Sequence, residues 1–122
     1  KIGKNTWIGP FTIIDGSGGE IKIGDYCSIS SGVQIYTHDT VKWSLTGGKA
    51  EFEKGNVSIG DNCYVGPNVI ISKDVKIGKG CIIGSNSFVN RNIPQNSIVY
   101  GIPGKKVGKV KIVGKKISLE YL

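Results

Sequence analysis

The most constraining feature of the sequence is a period of six residues that runs through its centre. Each unit opens with a β-branched aliphatic residue, and its fifth place holds a small or β-branched one. The openers are Ile59, Val65, Ile71, Ile77, Ile83 and Val89, and the fifth places hold Cys63, Val69, Val75, Cys81, Ser87 and Ile93. This period fits neither a helix nor plain alternation, but it fits a short strand followed by a tight turn. We predict an all-β solenoid whose openers and fifth-place residues point inward, with three units closing one triangular coil.

The same pattern occupies residues 2–14 and 23–35. The segment between these stretches is three residues longer than the six-residue period allows. The insertion is rich in glycine, which suits a corner that needs positive φ. We interpret it as a corner bulge without function, or as a segment that places Asp15 or Glu20 at the rim of a neighbouring subunit's site.

A second interruption removes the pattern from Tyr36 to Asn56. Loops of this length inside a regular chain are usually functional or disordered. This one contains the single histidine, His38, and one of the two tryptophans, Trp43. We predict that it projects from a corner of the coil as an arm.

The sequence predicts one domain over residues 1–108, with a loop inserted at 36–58, and a C-terminal tail at 109–122. Weak alternation in the tail leaves both a short strand and a helix open. The chain begins in phase with the repeat and contains no methionine, which suits a fragment or a processed chain.

The composition limits which kinds of partner the protein is expected to bind and where in the cell it is expected to be. The net charge of +7 suits anionic ligands, but the lysines are scattered and lack the interleaved aromatic residues of a nucleic-acid surface. No apolar run reaches membrane-spanning length and no signal peptide is visible, so we expect a soluble, cytoplasmic protein without membrane insertion. Cys27, Cys63 and Cys81 all fall in fifth places, and we expect buried small side chains there rather than disulfides or nucleophiles.

The repeat resembles that of the left-handed parallel β-helix acyltransferases, a family of sugar and antibiotic O- and N-acetyltransferases. The resemblance covers roughly residues 2–108 and includes a closing run from Ile98 to Lys106, with a Gly-x-Pro step before basic residues. It implies left-handed coils and acetyl-CoA as co-substrate. We also expect a homotrimer with its sites at subunit boundaries. One histidine per chain cannot build the three-histidine zinc site of carbonic anhydrases with this fold, and we expect no metal.

His38 lies at the mouth of the arm, and the resemblance implies that it is the general base. An imidazole suits this role at neutral pH. Its tautomer would be fixed by Asp39, by a backbone carbonyl, or by an acid of another subunit such as Asp15. Trp43 is either a stacking surface for the acceptor or a residue that packs the arm onto the coil.

For acetyl-CoA, the resemblance implies that the pantetheine arm lies along the coils. Backbone groups at Gly84, Ser85 and Asn86 would contact it, although the family often has Ala-Gly at the last two positions. Tyr64 matches an aromatic position near the thiol end. Arg91 matches a basic position of the family. Lys105 and Lys106 match the positions that bind the phosphates of CoA. Each lysine, taken alone, would also suit a solvated surface.

We therefore predict direct acetyl transfer from acetyl-CoA to a hydroxyl or amine of a sugar or nucleotide-linked sugar. No Ser-His-Asp or Cys-His constellation indicates an acyl-enzyme. The alternative is a non-catalytic β-helix that serves as a scaffold or trimerisation domain of a larger protein.

Overall fold

The computed structural model describes residues 1–122 and consists almost entirely of short strands. In chain order these are β1 (Trp7–Ile8), β2 (Ile13–Asp15), β3 (Ile21–Ile23), β4 (Ser28–Ile29), β5 (Gln34–Tyr36), β6 (His38–Asp39), helix α1 (Val41–Leu45), β7 (Glu53–Lys54), β8 (Val57–Ile59), β9 (Tyr64–Val65), β10 (Ile70–Ile71), β11 (Val75–Ile77), β12 (Ile82–Ile83), β13 (Phe88–Val89), β14 (Ser97–Tyr100), β15 (Lys105–Val113) and β16 (Lys116–Tyr121). No helix is long and apolar enough to cross a membrane.

The strands wind into a triangular coil with three flat faces. The β3 face contains β3, β8 and β11; the β4 face contains β1, β4, β9, β12 and β14; the β5 face contains β2, β5, β10 and β13. Neighbouring strands within each of these groups are parallel. Each coil passes from the β3 face to the β4 face and then to the β5 face. Corresponding corners of successive coils therefore lie above one another.

Two of the three corners hold residues of the predicted active site. We call the corner where the β5 face leads into the next coil the arm corner, and it holds residues 16–20, 37–56, 72–74 and 90–92. The corner between the β4 and β5 faces is called the Gly84 corner, and it holds residues 9–12, 30–33, 66–69, 84–87 and 101–104. These two corners lie at opposite ends of the β5 face.

The core is the stack of predicted inward positions. All six openers and all six fifth-place residues of the central block are buried. Residues of the same type stack on one another in successive coils; for example, Val57 lies next to Val75 and Ile59 next to Ile77. Each fully buried aliphatic side chain contributes about 1.5–3 kcal/mol relative to an exposed one. A narrow column filled layer by layer explains how a chain with few aromatic residues has a continuous core.

The three cysteines form one internal column, as predicted. Each is buried and unpaired, and each thiol lies 3.1 Å from a carbonyl oxygen of the next coil: Cys27 from Gly60, Cys63 from Gly78, Cys81 from Pro94. The neighbouring thiols, together with burial, raise the pKa of Cys63. The column is therefore a set of packed small side chains with weak hydrogen bonds between layers.

The arm is a short β-hairpin with a helix at its tip. Strand β6 pairs antiparallel with β7, and α1 lies between them. The regular coil stops at Tyr36 and resumes at Val57. The predicted projecting loop is confirmed, with residues 37–56 outside the coil.

The C-terminal segment, for which strand and helix were both left open, is a second hairpin. Strand β15 runs antiparallel to β14, and β16 runs antiparallel to β15. Because β15 extends from Lys105 to Val113, no break in secondary structure occurs at residue 108.

Candidate active site

His38 is the first residue of the arm's strand β6, and its imidazole lies against the preceding coil. Its side chain is 24% exposed. The Nδ1 atom lies 3.2 Å from Ser17 Oγ and 3.8 Å from Asp15 Oδ2. No group of the chain forms a hydrogen bond with Nε2, which leaves that nitrogen available to a ligand.

The three-residue insertion forms the wall against which His38 packs. The Thr37 hydroxyl, which is buried, donates to the Asp15 carbonyl at 2.8 Å and accepts the N–H of Gly18 at 2.9 Å. A Cβ on Gly18 would lie 2.7 Å from the His38 Cβ, so only glycine allows this approach. The insertion is more than a corner bulge, because it positions the histidine.

Asp15 reaches His38 within one chain, whereas the sequence had suggested an Asp15 from another subunit. The Ser17 N–H donates to Asp15 Oδ1 at 3.0 Å. Hydrogen bonds from the Ser17 hydroxyl and N–H lower the pKa of Asp15, and His38 adds to the shift. The ionised form of this carboxylate is therefore favoured next to the imidazole.

Asp39 points away from His38 and forms part of an ion-pair network. Its carboxylate lies 3.1 Å from Lys73 Nζ and accepts the N–H of Val41 at 3.0 Å. Lys73 also lies 3.4 Å from Glu53, which pairs with Lys42 at 2.6 Å. The Val41 N–H and then Lys73 lower the pKa of Asp39. The network attaches the arm to the next coil, since Lys73 occupies the arm corner beneath it.

The arm carries a small aromatic cluster next to the histidine. The Phe52 ring stacks on the imidazole at a centroid distance of 6.0 Å, and Trp43 meets Phe52 edge-on at 6.1 Å. Trp43 is 46% exposed and borders a cleft of about 430 Å³ between α1 and the returning strand. Both interpretations of Trp43 have support, because it packs within the arm and still presents a free surface.

The structure brings three of the predicted coenzyme residues together. Tyr64, Gly84 and Ser85 line one groove of about 440 Å³ at the edge of the β4 face, with Ile82 and Tyr100. Lys105 and Lys106 begin strand β15, and the register places them opposite Tyr100 and Val99 respectively.

None of the other four predicted coenzyme residues, which include Asn86 and Arg91, lines this groove. Asn86 forms the turn itself, with φ of 62° and an N–H that donates to the Pro67 carbonyl at 2.9 Å. Arg91 is exposed at the arm corner, on the opposite side of the β5 face from Gly84. No three His, Cys, Asp or Glu side chains converge on a metal-sized site.

One chain does not bring the two halves of the predicted site into contact. His38 lies at the arm corner and Gly84 lies at the Gly84 corner, and the width of the β5 face separates the two.

Comparison with known sequences identifies the repeat. Residues 56–91 match the profile of the family described as bacterial transferase hexapeptide (six repeats). The chain is a hexapeptide-repeat protein. Its fold class, an all-β left-handed parallel β-helix with one projecting loop, agrees with the prediction.

Relatives of this hexapeptide-repeat protein include Protein CapG of Staphylococcus aureus, with 43% identity over 98 residues, which are 80% of this chain and 57% of CapG. A maltose O-acetyltransferase from Clostridium difficile 630 superposes with a TM-score of 0.79 and 28% identity, over 91% of this chain and 59% of that one. A hexapeptide-repeat-containing acetyltransferase from Vibrio cholerae O1 biovar eltor, solved with acetyl coenzyme A, gives a TM-score of 0.81 and 29% identity, over 91% and 60%. The hexapeptide-repeat protein thus spans less than two thirds of each of these relatives.

Proposed function

We propose that this protein is an acetyl-CoA-dependent acyltransferase in which His38 is the general base. The observation that carries the proposal is the arrangement of the imidazole. Its Nδ1 faces Ser17 and Asp15, while its Nε2 has no hydrogen-bond partner within the chain. A histidine held at one nitrogen and free at the other is the arrangement that general-base catalysis needs.

In the proposed reaction an acceptor hydroxyl or amine gives its proton to His38 Nε2 while its oxygen or nitrogen attacks the thioester carbonyl carbon. The new C–O or C–N bond forms as the C–S bond breaks, and the thiolate of CoA leaves and takes up a proton. Asp15 stabilises the charge that the ring acquires. The three buried cysteines lie in the core, so the transfer is direct.

The groove beside Gly84 fits the coenzyme by its chemistry. It is lined by two tyrosines, Ile82 and two small residues, and Lys105, which has no acidic partner, pairs with Tyr100 at its edge. When bound there, acetyl-CoA supplies the acetyl group as a thioester. The named activities of the Clostridium and Vibrio proteins support this assignment.

For the acceptor we propose a sugar or a nucleotide-linked sugar. Trp43 and Phe52 next to His38 give an aromatic surface that suits the apolar face of a sugar ring. The likeness to a maltose O-acetyltransferase points in the same direction.

We further propose a homotrimer in which the arm corner of one copy meets the Gly84 corner of another. The two halves of the site lie on different corners of one chain, so a second copy would complete them. The β5 face between these corners also carries an outward row of Ile13, Ile70 and Phe88, in register with Gln34. Such a row on a surface favours burial against another copy. We propose a cytoplasmic location, because three unpaired cysteines suit a reducing compartment.

The test is thiol release from acetyl-CoA with a panel of sugars, nucleotide-linked amino sugars and chloramphenicol-like alcohols. We expect turnover with one class, and a loss of roughly 10²–10⁴-fold in rate for His38→Ala with the fold retained. Unchanged transfer in His38→Ala would remove His38 from the mechanism. If calorimetry shows no CoA binding at millimolar concentration, the scaffold alternative is correct instead.

A further inference from the structure

Two tyrosines from distant parts of the chain meet at the end of the Gly84 groove. Tyr100 ends strand β14 and Tyr121 ends strand β16. Their hydroxyl oxygens are 3.2 Å apart, and their ring centroids are 6.3 Å apart. The C-terminal hairpin produces this pair, because β15 returns along β14 and its partner strand places Tyr121 opposite Gly108.

Gly84 determines how closely Tyr100 approaches the coil. The Tyr100 ring lies so close to the Gly84 backbone that a Cβ there would overlap it. Tyr100 nevertheless remains 43% exposed and Tyr121 55% exposed. The pair therefore contacts the coil on one side and leaves aromatic surface open to the groove. The hydrogen bond with Tyr121 raises the pKa of Tyr100.

The axial order of the groove relates this pair to His38. His38 follows β5, Tyr64 lies in the next coil, Gly84 lies in the one after that, and Tyr100 ends the last parallel strand. With strands about 4.8 Å apart, Tyr100 lies roughly 14 Å further along the axis than the histidine's coil. A long ligand whose reactive end lies at the level of His38 would have its other end at the tyrosine pair.

The charges at this end differ from those of the rest of the hairpin. Lys109 and Lys111 both pair with Glu120, at 3.9 and 3.1 Å. Lys105 and Lys106, opposite Tyr100 and Val99, have no acidic partner. Lys105 lies on the same face as Tyr100, whereas Lys106 pairs with the inward-pointing Val99 and lies on the other face of the strand. A free ammonium group beside an open aromatic surface suits a phosphorylated nucleotide.

We infer that Tyr100 and Tyr121 form the stacking surface for the adenine ring of CoA, with Lys105 beside its phosphates. The inference rests on the proposed function, because it names the part of the groove that holds the nucleotide end of the same co-substrate. It assigns a binding role to the C-terminal hairpin, which the repeat alone does not require.

The experiment is calorimetric titration of CoA and of pantetheine into the full chain and four variants. Stacking of a base on an aromatic ring is worth about 1–3 kcal/mol, so Tyr121→Ala and Tyr100→Leu should weaken CoA binding roughly 5- to 150-fold. Pantetheine, which has no nucleotide, should bind Tyr121→Ala as it binds the wild type, because Tyr121 does not line the groove. Tyr121→Phe keeps the ring and should stay within about twofold of the wild type. Tyr26→Ala, at an exposed tyrosine of another corner, is the matched control and should have no effect.

Two results separate the inference from the function on which it rests. If Tyr121→Ala and Tyr100→Leu bind CoA as tightly as the wild type, the stacking surface is wrong and the acyltransferase proposal stands. If the wild type binds no CoA, both proposals fail. Because Tyr121 is exposed on a hairpin outside the packed coil, its variants keep the test available even if Tyr100→Leu does not fold.

Discussion

The Nδ1 atom of His38 lies 3.2 Å from the hydroxyl oxygen of Ser17, although 21 residues separate the two in the sequence. The contact exists because one turn of the coil brings the arm corner of one layer above that of the next. It gives the glycine-rich insertion a role that its composition alone did not show.

From this contact we predict that Asp15→Asn and Ser17→Ala lower kcat by roughly 10- to 100-fold, because a misplaced imidazole loses its alignment with the acceptor. KM for acetyl-CoA should be unchanged, since neither residue lines the groove. Steady-state kinetics with both substrates varied would test this, with Ser17→Thr as the conservative variant that restores the rate. Asp25→Asn, a carboxylate at another corner, is the control. A change in KM without a change in kcat would contradict the positioning role.

Lys73 should hold the arm in place through Asp39 and Glu53. We predict that Lys73→Ala lowers kcat and raises KM for the acceptor, because the helix and strand that carry Trp43 and Phe52 lose their attachment to the coil. Lys73→Arg should restore both. Lys76→Ala, an exposed lysine in the next strand, is the matched control. Wild-type kinetics in Lys73→Ala would show that the arm needs no such attachment.

The same network predicts loss of arm structure in acid. The partners of Asp39 and Glu53 lower the pKa of each below its ordinary value, 3.8 and 4.5 respectively. A lowered folded pKa gives stability that is present above the ordinary pKa and lost as pH falls through the folded one. Trp43 fluorescence in a Trp7→Phe background should therefore change below about pH 4, before the far-UV circular dichroism of the coil. Coincident changes in both signals would mean that arm and coil unfold together.

The inward column should dominate stability. Ile71 is fully buried, and Ile71→Ala should lower the free energy of unfolding by about 2–5 kcal/mol through lost burial and a cavity. Ile117→Ala, at a largely exposed position of the hairpin, should cost much less. Denaturant unfolding of both variants gives the comparison. Equal losses would show that the coil does not unfold as one packed unit.

The outward row on the β5 face should be an interface between copies. Ile70→Asp should shift sedimentation towards monomer and lower activity, because a desolvated charge is costly in an apolar contact. Ser58→Asp, at an outward position of the β3 face, should leave assembly unchanged. A wild-type protein that sediments as a monomer at micromolar concentration would reject the trimer.

The coil was predictable because every buried position repeats. The six-residue pattern specifies both which side chains point inward and where the arm begins, and burial of Ile71, Val69 and their equivalents follows from it. The C-terminal hairpin was not predictable, because the alternation of apolar and polar residues there is short and is interrupted by Gly108 and Gly114.

The site was only partly predictable. His38 was singled out by its place at the mouth of the arm, and its catalytic role stays a prediction. Tyr64, Gly84 and Ser85 line one groove, and their role in coenzyme binding also stays a prediction. The partner of the histidine was not determined, since the choice between Asp15 and Asp39 depends on which way the arm strand turns its side chains. The role of Lys73 as a partner of the arm could have been predicted from the sequence, because Lys73 occupies the arm corner one coil after the arm.

Chain direction reverses after Tyr100, so the last parallel strand is covered by an antiparallel one. A filament formed by stacking one solenoid end-on against another would need a free parallel edge at that point. Strand β16 offers an edge of opposite direction that carries Lys116 and Glu120, charges of the kind that discourage strand addition. The hairpin therefore covers the last parallel strand of the β4 face and presents a charged edge in its place.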